Sequence, residues 1–224
     1  GARAEGQVLS DRVAVLALCA CLLCPAPAAR ADSRSRPDDR VTLTQVDDRV
    51  LAVTAAGFAA VVAALELGES VVALRSQGEV GVAVTTRRLL AIQSRAASFV
   101  EARYRVSESA PGEQDLEVRD RLVVVAFPAR ILAFAPQIAS WREFGLGPGE
   151  RPIELLADEN VAAVITPRRA VAFSPLSSGF VEFPLAPGEI PERSTLGADS
   201  VTLILPHRIL IFRAADSRWS SLNR

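Results

Sequence analysis

From Val41 onward the chain alternates apolar runs of four to five residues with short polar breaks, and the runs recur in register. Runs so brief are too short for helices. Their Val, Ile and Phe content, with Gly, Pro, Asp and Ser clustered between them, predicts β-strands buried on both faces. The sharpest marker is an arginine opening such a run: Arg88 to Ile92, Arg130 to Phe134, Arg169 to Phe173 and Arg208 to Phe212, at intervals of 42, 39 and 39 residues. Another apolar run precedes each arginine, at Val80–Thr85, Leu122–Phe127, Val161–Thr166 and Val201–Leu205. An aromatic residue follows each marked run, at Phe99, Trp141, Phe180 and Trp219, and two positions later stand Glu101, Glu143, Glu182 and Ser221.

Each unit divides into four strands. In the fourth copy these are Ile153–Ala157, Val161–Thr166, Arg169–Phe173 and Phe180–Phe183, and Pro-Gly-Glu recurs between units at 111–113, 148–150 and 187–189. A shortened first copy reads as Val41–Val46, Val50–Thr54 and Phe58–Ala63, with Phe58 in the place of the arginine. The units run approximately 41–69, 70–105, 115–147, 152–186 and 194–224. Four antiparallel strands in about 40 residues, repeated, resemble the blades of a β-propeller. The resemblance covers Val41 to Arg224. It shows neither the Gly-Gly pair of kelch repeats nor the Trp-Asp and Gly-His pairs of WD40 repeats, and so implies a fold without carrying functional residues across. The expected fold is all-β, a five-bladed propeller whose circular closure covers apolar faces that one blade cannot bury alone.

The first 31 residues have another character. Arg3 and Arg12 precede an unbroken apolar stretch from Val13 to Cys24, followed by Pro25 and the small residues of 26–31. These are the three parts of an export signal, cleaved after Ala28 or Ala31, and the stretch is shorter than the roughly 20 residues that span a bilayer. Leu18-Cys19-Ala20-Cys21 also resembles a bacterial lipobox, which makes Cys21 the alternative site of lipid attachment. Residues 32–40 are polar and aperiodic, as in a linker. The exported chain then has no cysteine, hence no disulfide, thiolate nucleophile or cysteine zinc site.

Composition narrows the chemistry further. With 25 basic and 26 acidic side chains and half its residues hydrophobic, the chain is neither disordered nor basic enough for nucleic acid. All the basic residues are arginine, which excludes lysine Schiff-base chemistry, and an Arg- and Ala-rich chain without Lys or Met has the bias of a GC-rich bacterial genome. A residue repeated in every unit performs the same local task each time. Arg88 with Glu101, Arg130 with Glu143 and Arg169 with Glu182 are therefore read as structural ties, Arg208 facing Ser221 in the last copy. The alternative is a ring of guanidinium groups around an anion. Asp47-Asp48, Asp158-Glu159-Asn160 and Asp199-Ser200 are turn residues rather than a calcium loop. The single histidine, His207, lies at a variable turn. The acidic insertion of 106–117 breaks the repeat, so Tyr104, Arg105, Glu108, Glu113 and Asp115 form a candidate binding loop. No metal or cofactor is implied.

The resulting expectation is an exported, monomeric, non-catalytic module. It would bind a protein or a small anionic or carbohydrate ligand, and touch a membrane only if lipidated. The alternatives are a hydrolase or lyase, carbohydrate-active or otherwise, using loop carboxylates, and an envelope lipoprotein scaffold.

Overall fold

The computed structural model describes residues 40–55, 60–177 and 179–224. The export signal, Cys21, nearly all of the linker and Phe58 lie outside them. The described residues form nineteen strands in five antiparallel sheets of strictly sequential strand order. The first sheet has three strands, β1 (Val41–Val46), β2 (Arg49–Thr54) and β3 (Val61–Ala64). The second contains β4 (Val71–Gln77), β5 (Val80–Thr85), β6 (Arg88–Gln93) and β7 (Val100–Arg103); the third β8 (Leu116–Arg119), β9 (Leu122–Phe127), β10 (Arg130–Ala135) and β11 (Ser140–Gly145). The fourth contains β12 (Glu154–Asp158), β13 (Val161–Ile165), β14 (Arg169–Ser174) and β15 (Gly179–Pro184); the fifth β16 (Arg193–Gly197), β17 (Ser200–Ile204), β18 (Arg208–Arg213) and β19 (Arg218–Asn223). These are the blades of a β-propeller.

Packing between blades explains the unalternating apolar strands. Every residue of β5, β9, β10 and β13 is buried, because each middle blade is covered by a neighbour on both faces. Leu122, Val124, Ile131 and Ala133 of the third blade meet Ala162, Val164, Val171 and Phe173 of the fourth. On the fourth blade's other face, Ala163, Ile165, Ala170 and Ala172 meet Leu203, Leu205, Leu210 and Phe212 of the fifth. Each fully buried Leu, Ile or Phe contributes about 1.5–3 kcal/mol. The repeated aromatic residue fastens the outer rim. Trp141 packs on Phe134 at 5.6 Å and donates its indole N–H to Val100 O of the preceding blade at 3.1 Å. Trp219 likewise packs on Phe212 and donates to Val181 O at 3.0 Å.

A second set of ties runs along the turns between the first and second strands. Glu79 N donates to Asp120 O, and Asn160 N to Ala198 O. Arg40 N enters the same series by donating to Gly78 O, and its side chain pairs with Glu79 at 3.2 Å. Arg40 is therefore held in the sheet array, although it reads in sequence as the end of a linker.

The first blade corrects the register expected from sequence. Because Arg40 occupies the place of Glu79, β1 corresponds to β5, the second strand of its blade. Arg49 then corresponds to Arg88, and β3 to β7. The arginine position is thus filled by Arg49 and not by Phe58, the third described strand begins at Val61, and it is the innermost strand that the described part of this blade lacks. The end blades also differ from the middle three in burial. Along β1 only Val41 and Leu43 are buried, along β17 buried residues alternate with half-buried ones, and among the described residues no hydrogen bond, ion pair or apolar cluster joins the first blade to the fifth.

Candidate functional site

The interblade linkers and the turns between second and third strands share one end of the blades, and most of the charged chemistry gathers there. Each repeated arginine opens the third strand of its blade at this end. Arg88, Arg130, Arg169 and Arg208 all present Nε and Nη2 to one carboxylate, those of Glu69, Glu108, Glu150 and Glu189, over 2.5–3.0 Å. Parallel bonds of this kind match the planar guanidinium to the carboxylate. Each glutamate also accepts the backbone N–H three residues before it, from Glu66, Arg105, Gly147 and Ala186, at 2.7–2.8 Å. One side chain thereby folds the linker turn and anchors it to the next blade. Arg88, Arg130 and Arg208 extend the tie to the preceding blade through the carbonyls of Ala64, Arg103 and Pro184.

The pairs read from sequence are present as a second, outer contact. Arg88 bonds Glu101, Arg130 bonds Glu143 at 2.7 Å and Arg169 bonds Glu182 at 2.5 Å. Ser221 pairs with Leu210 across β18–β19. Of the inner glutamates, sequence reasoning named Glu108 alone, as a binding-loop residue and not as part of a clamp, and it missed Glu69, Glu150 and Glu189. Their signal was available: Glu69, Glu150 and Glu189 each precede their arginine by 19 residues. Thr85 and Thr166 complete two of the clamps, donating to Glu69 at 2.6 Å and Glu150 at 2.7 Å.

The clamp sets the electrostatics. The hydrogen bonds from Arg169, outweighing burial and assisted by Thr166 and Gly147 N–H, hold Glu150 down at about 2. Arg208 lowers Glu189 in the same way. For Glu69 burial is the largest influence and acts upward, but Arg88, Glu66 N–H and Thr85 together outweigh it. Glu66, half-buried between Arg103 and Arg87, is lowered chiefly by Arg103.

The candidate binding loop does not converge on a site. Tyr104 is packed against Phe127 at 5.7 Å and donates to Thr85 O at 3.0 Å; burial, then the charges of Glu69 and Glu108, raise its pKa. Glu108 has a side chain only 2% exposed and is the third blade's clamp carboxylate. Pro111-Gly112-Glu113, which matches the other linkers by sequence, does not fill that role: Glu113 pairs with Arg75 at 2.9 Å, and Asp115 accepts Gly112 N–H at 3.3 Å. Arg105 pairs with Glu143.

What varies lies just above the clamps. The turns between second and third strands are Asp47-Asp48, Thr86-Arg87, Pro128-Ala129, Pro167-Arg168 and Pro206-His207, and all ten residues are exposed. Beside one of them Arg168, Arg169, Glu182 and Pro184 line a recess of about 310 Å³. Among the described residues Arg168 makes no ion pair, and no three His, Cys, Asp or Glu side chains converge as metal ligands do.

No protein-family model matches the chain, and no curated protein does. Several solved structures are similar to it over part of their length. The chain is similar to apo AztD from Citrobacter koseri with 14% identity and a TM-score of 0.40, over 82% of this chain and 59% of that one. It is similar to Prp20p from Saccharomyces cerevisiae, described with its binding to Gsp1p and histones, with 11% identity and a TM-score of 0.41, over 78% and 55% of the two chains. The chain thus spans little more than half the length of either.

Proposed function

We propose that the protein is an exported, non-catalytic interaction module whose working surface is the linker end of its blades. One observation carries this reading: the exposed turns there change from blade to blade, acidic, basic, neutral, basic and histidine-bearing, above a clamp that repeats. A rigid framework presenting variable tips suits recognition. Glu66, Glu69, Glu150 and Glu189, the carboxylates held by arginine at this end, are all lowered, the opposite of the raised carboxyl group that serves as a general acid. Export rests on the basic, apolar and small-residue order of residues 1–31. The ligand is a protein, or a small anionic or carbohydrate molecule that Arg168 meets at the recess.

Photo-crosslinking in the native envelope tests the surface, with a photoreactive residue at position 168 or 207 and a control at position 159 on the opposite end. Discrete adducts from the first two positions support the proposal. Adducts only from the control, or turnover of a glycoside panel abolished by carboxylate substitutions, would replace it. Mass spectrometry separates a terminus near Ala29 or Asp32 from a diacylated Cys21.

A further inference from the structure

The outward faces of the two end blades, by which every interior blade meets a neighbour, carry side chains that are mostly exposed on the first blade and only half-buried on the fifth among the described residues. On the fifth blade, Thr202 pairs with Ile211 and Ile204 with Ile209, and these four side chains share its outward face. They stand where Ala163, Ala172, Ile165 and Ala170 of the fourth blade receive the fifth. On the first blade the outward face carries Val46, Leu51, Val53 and Val62, of which Val46, Val53 and Val62 are 49%, 54% and 50% exposed. Leu51 and Val53 stand where Leu132 and Phe134 of the third blade receive the second. One end of the array is therefore a donor face and the other an acceptor face, each repeating the register of an interface already present inside the chain.

Arg49 makes the acceptor end chemically specific. It occupies the clamp position, yet its side chain is 63% exposed and, among the described residues, its carboxylate partner is Asp48, 3.7 Å away. The other four clamp arginines each hold a buried or nearly buried linker glutamate. The charges at the linker end are complementary too. Exposed Arg193, on the donor face opposite Ile204, makes no ion pair among the described residues, and Asp47 and Asp48 lie at the same end of the first blade.

We propose that a second copy of this chain seats its first blade on the outward face of the fifth blade, continuing the array head to tail. The contact extends the interface between the fourth and fifth blades: Ile204, Ile209 and Ile211 cover Leu51 and Val53 of the second copy, with Arg193 near Asp47 and Asp48. It is heterologous, so its rotation decides whether copies close or extend. The inference goes beyond the binding role proposed above, does not depend on it, and departs from the monomer expected from sequence.

Sedimentation velocity of the full chain tests it, with Val53→Arg on the acceptor face and Ile211→Arg on the donor face. Wild type is expected to associate at concentrations up to about 100 µM. A charge buried in an apolar contact is costly, so each variant alone is expected to lose association by about 100-fold or more. An equimolar mixture is expected to form a one-to-one dimer, because each variant retains the face that the other lacks. Circular dichroism and melting temperature of the variants should match wild type, since neither side chain faces the chain's own core.

A cysteine version guards against a misfolded arginine variant. With Cys19, Cys21 and Cys24 changed to Ser, a short bismaleimide should join Thr44→Cys copies to Thr202→Cys copies, and neither to itself. A monomeric wild type, association that both variants leave intact, or crosslinks only between like positions would each overturn the proposal.

Discussion

Replacing Glu150 by Ala removes a carboxylate that accepts four hydrogen bonds: from Gly147 N at 2.8 Å, Thr166 at 2.7 Å, and Arg169 at 2.8 and 2.5 Å. Glu150 is 3% exposed. Truncating one member of a buried pair costs about 3–5 kcal/mol, because the partner is left buried and uncompensated. Arg169 keeps Glu182 at 2.5 Å and a side chain 24% exposed, so the lower end, about 3 kcal/mol, is expected. Glu182→Ala removes the outer contact, and that side chain is 51% exposed. Its expected cost is below about 1 kcal/mol. Urea unfolding followed by the fluorescence of Trp141 and Trp219 measures both. Acid supplies an independent check. Glu150 is lowered from 4.5 to about 2, so its contribution is full above 4.5 and is lost as pH falls toward 2. The stability gap between wild type and Glu150→Gln should therefore narrow across that window. Equal costs for Glu150→Ala and Glu182→Ala, or a gap that stays constant from pH 4.5 to 2, would refute the assignment of the inner glutamate as the stabilising half of the clamp.

Tyr104 is the single tyrosine, and burial raises its pKa. Ultraviolet titration should show little phenolate at about pH 11, where an ordinary tyrosine is mostly ionised, and full ionisation on unfolding. Stability should fall as pH rises above the ordinary value of 10.0. Trp219→Phe retains the ring contact with Phe212 but loses the bond to Val181 O, and urea midpoints should place the loss at about 1–2 kcal/mol. Gly188 has φ +77° with nothing within 4 Å of an added Cβ, whereas Gly145 has the same open space without a positive φ. Gly188→Ala should therefore cost about 1–2 kcal/mol through the backbone alone, and Gly145→Ala should cost nothing measurable in the same assay.

The strands, their period and the repeated aromatic residues were legible because they are local: an apolar run bounded by turn residues declares a strand wherever it packs. Arg88–Glu101 and its counterparts were legible for a similar reason, since the two residues lie on adjacent strands of one hairpin and register relates them. The first blade was misread, although Arg49 stands 39 residues before Arg88, as the regular period requires. The described residues of this blade hold three strands and not four, so which was which was not evident, and the bond from Arg40 N to Gly78 O settled the register.

The glutamate of each clamp belongs to a linker and meets its arginine on the next blade, so no single hairpin contains the pair. At the insertion of 106–117 Pro111-Gly112-Glu113 repeats the inter-unit motif, but the turn closed by Arg105 N brings Glu108 and not Glu113 to Arg130. Sequence by itself determined what each module is, because strand formation and hairpin pairing are decided within about 40 residues. Tertiary structure alone decided which charges are buried together and which blade faces remain open. Both depend on how one module sits against the next, and no residue carries that information without its neighbour in place.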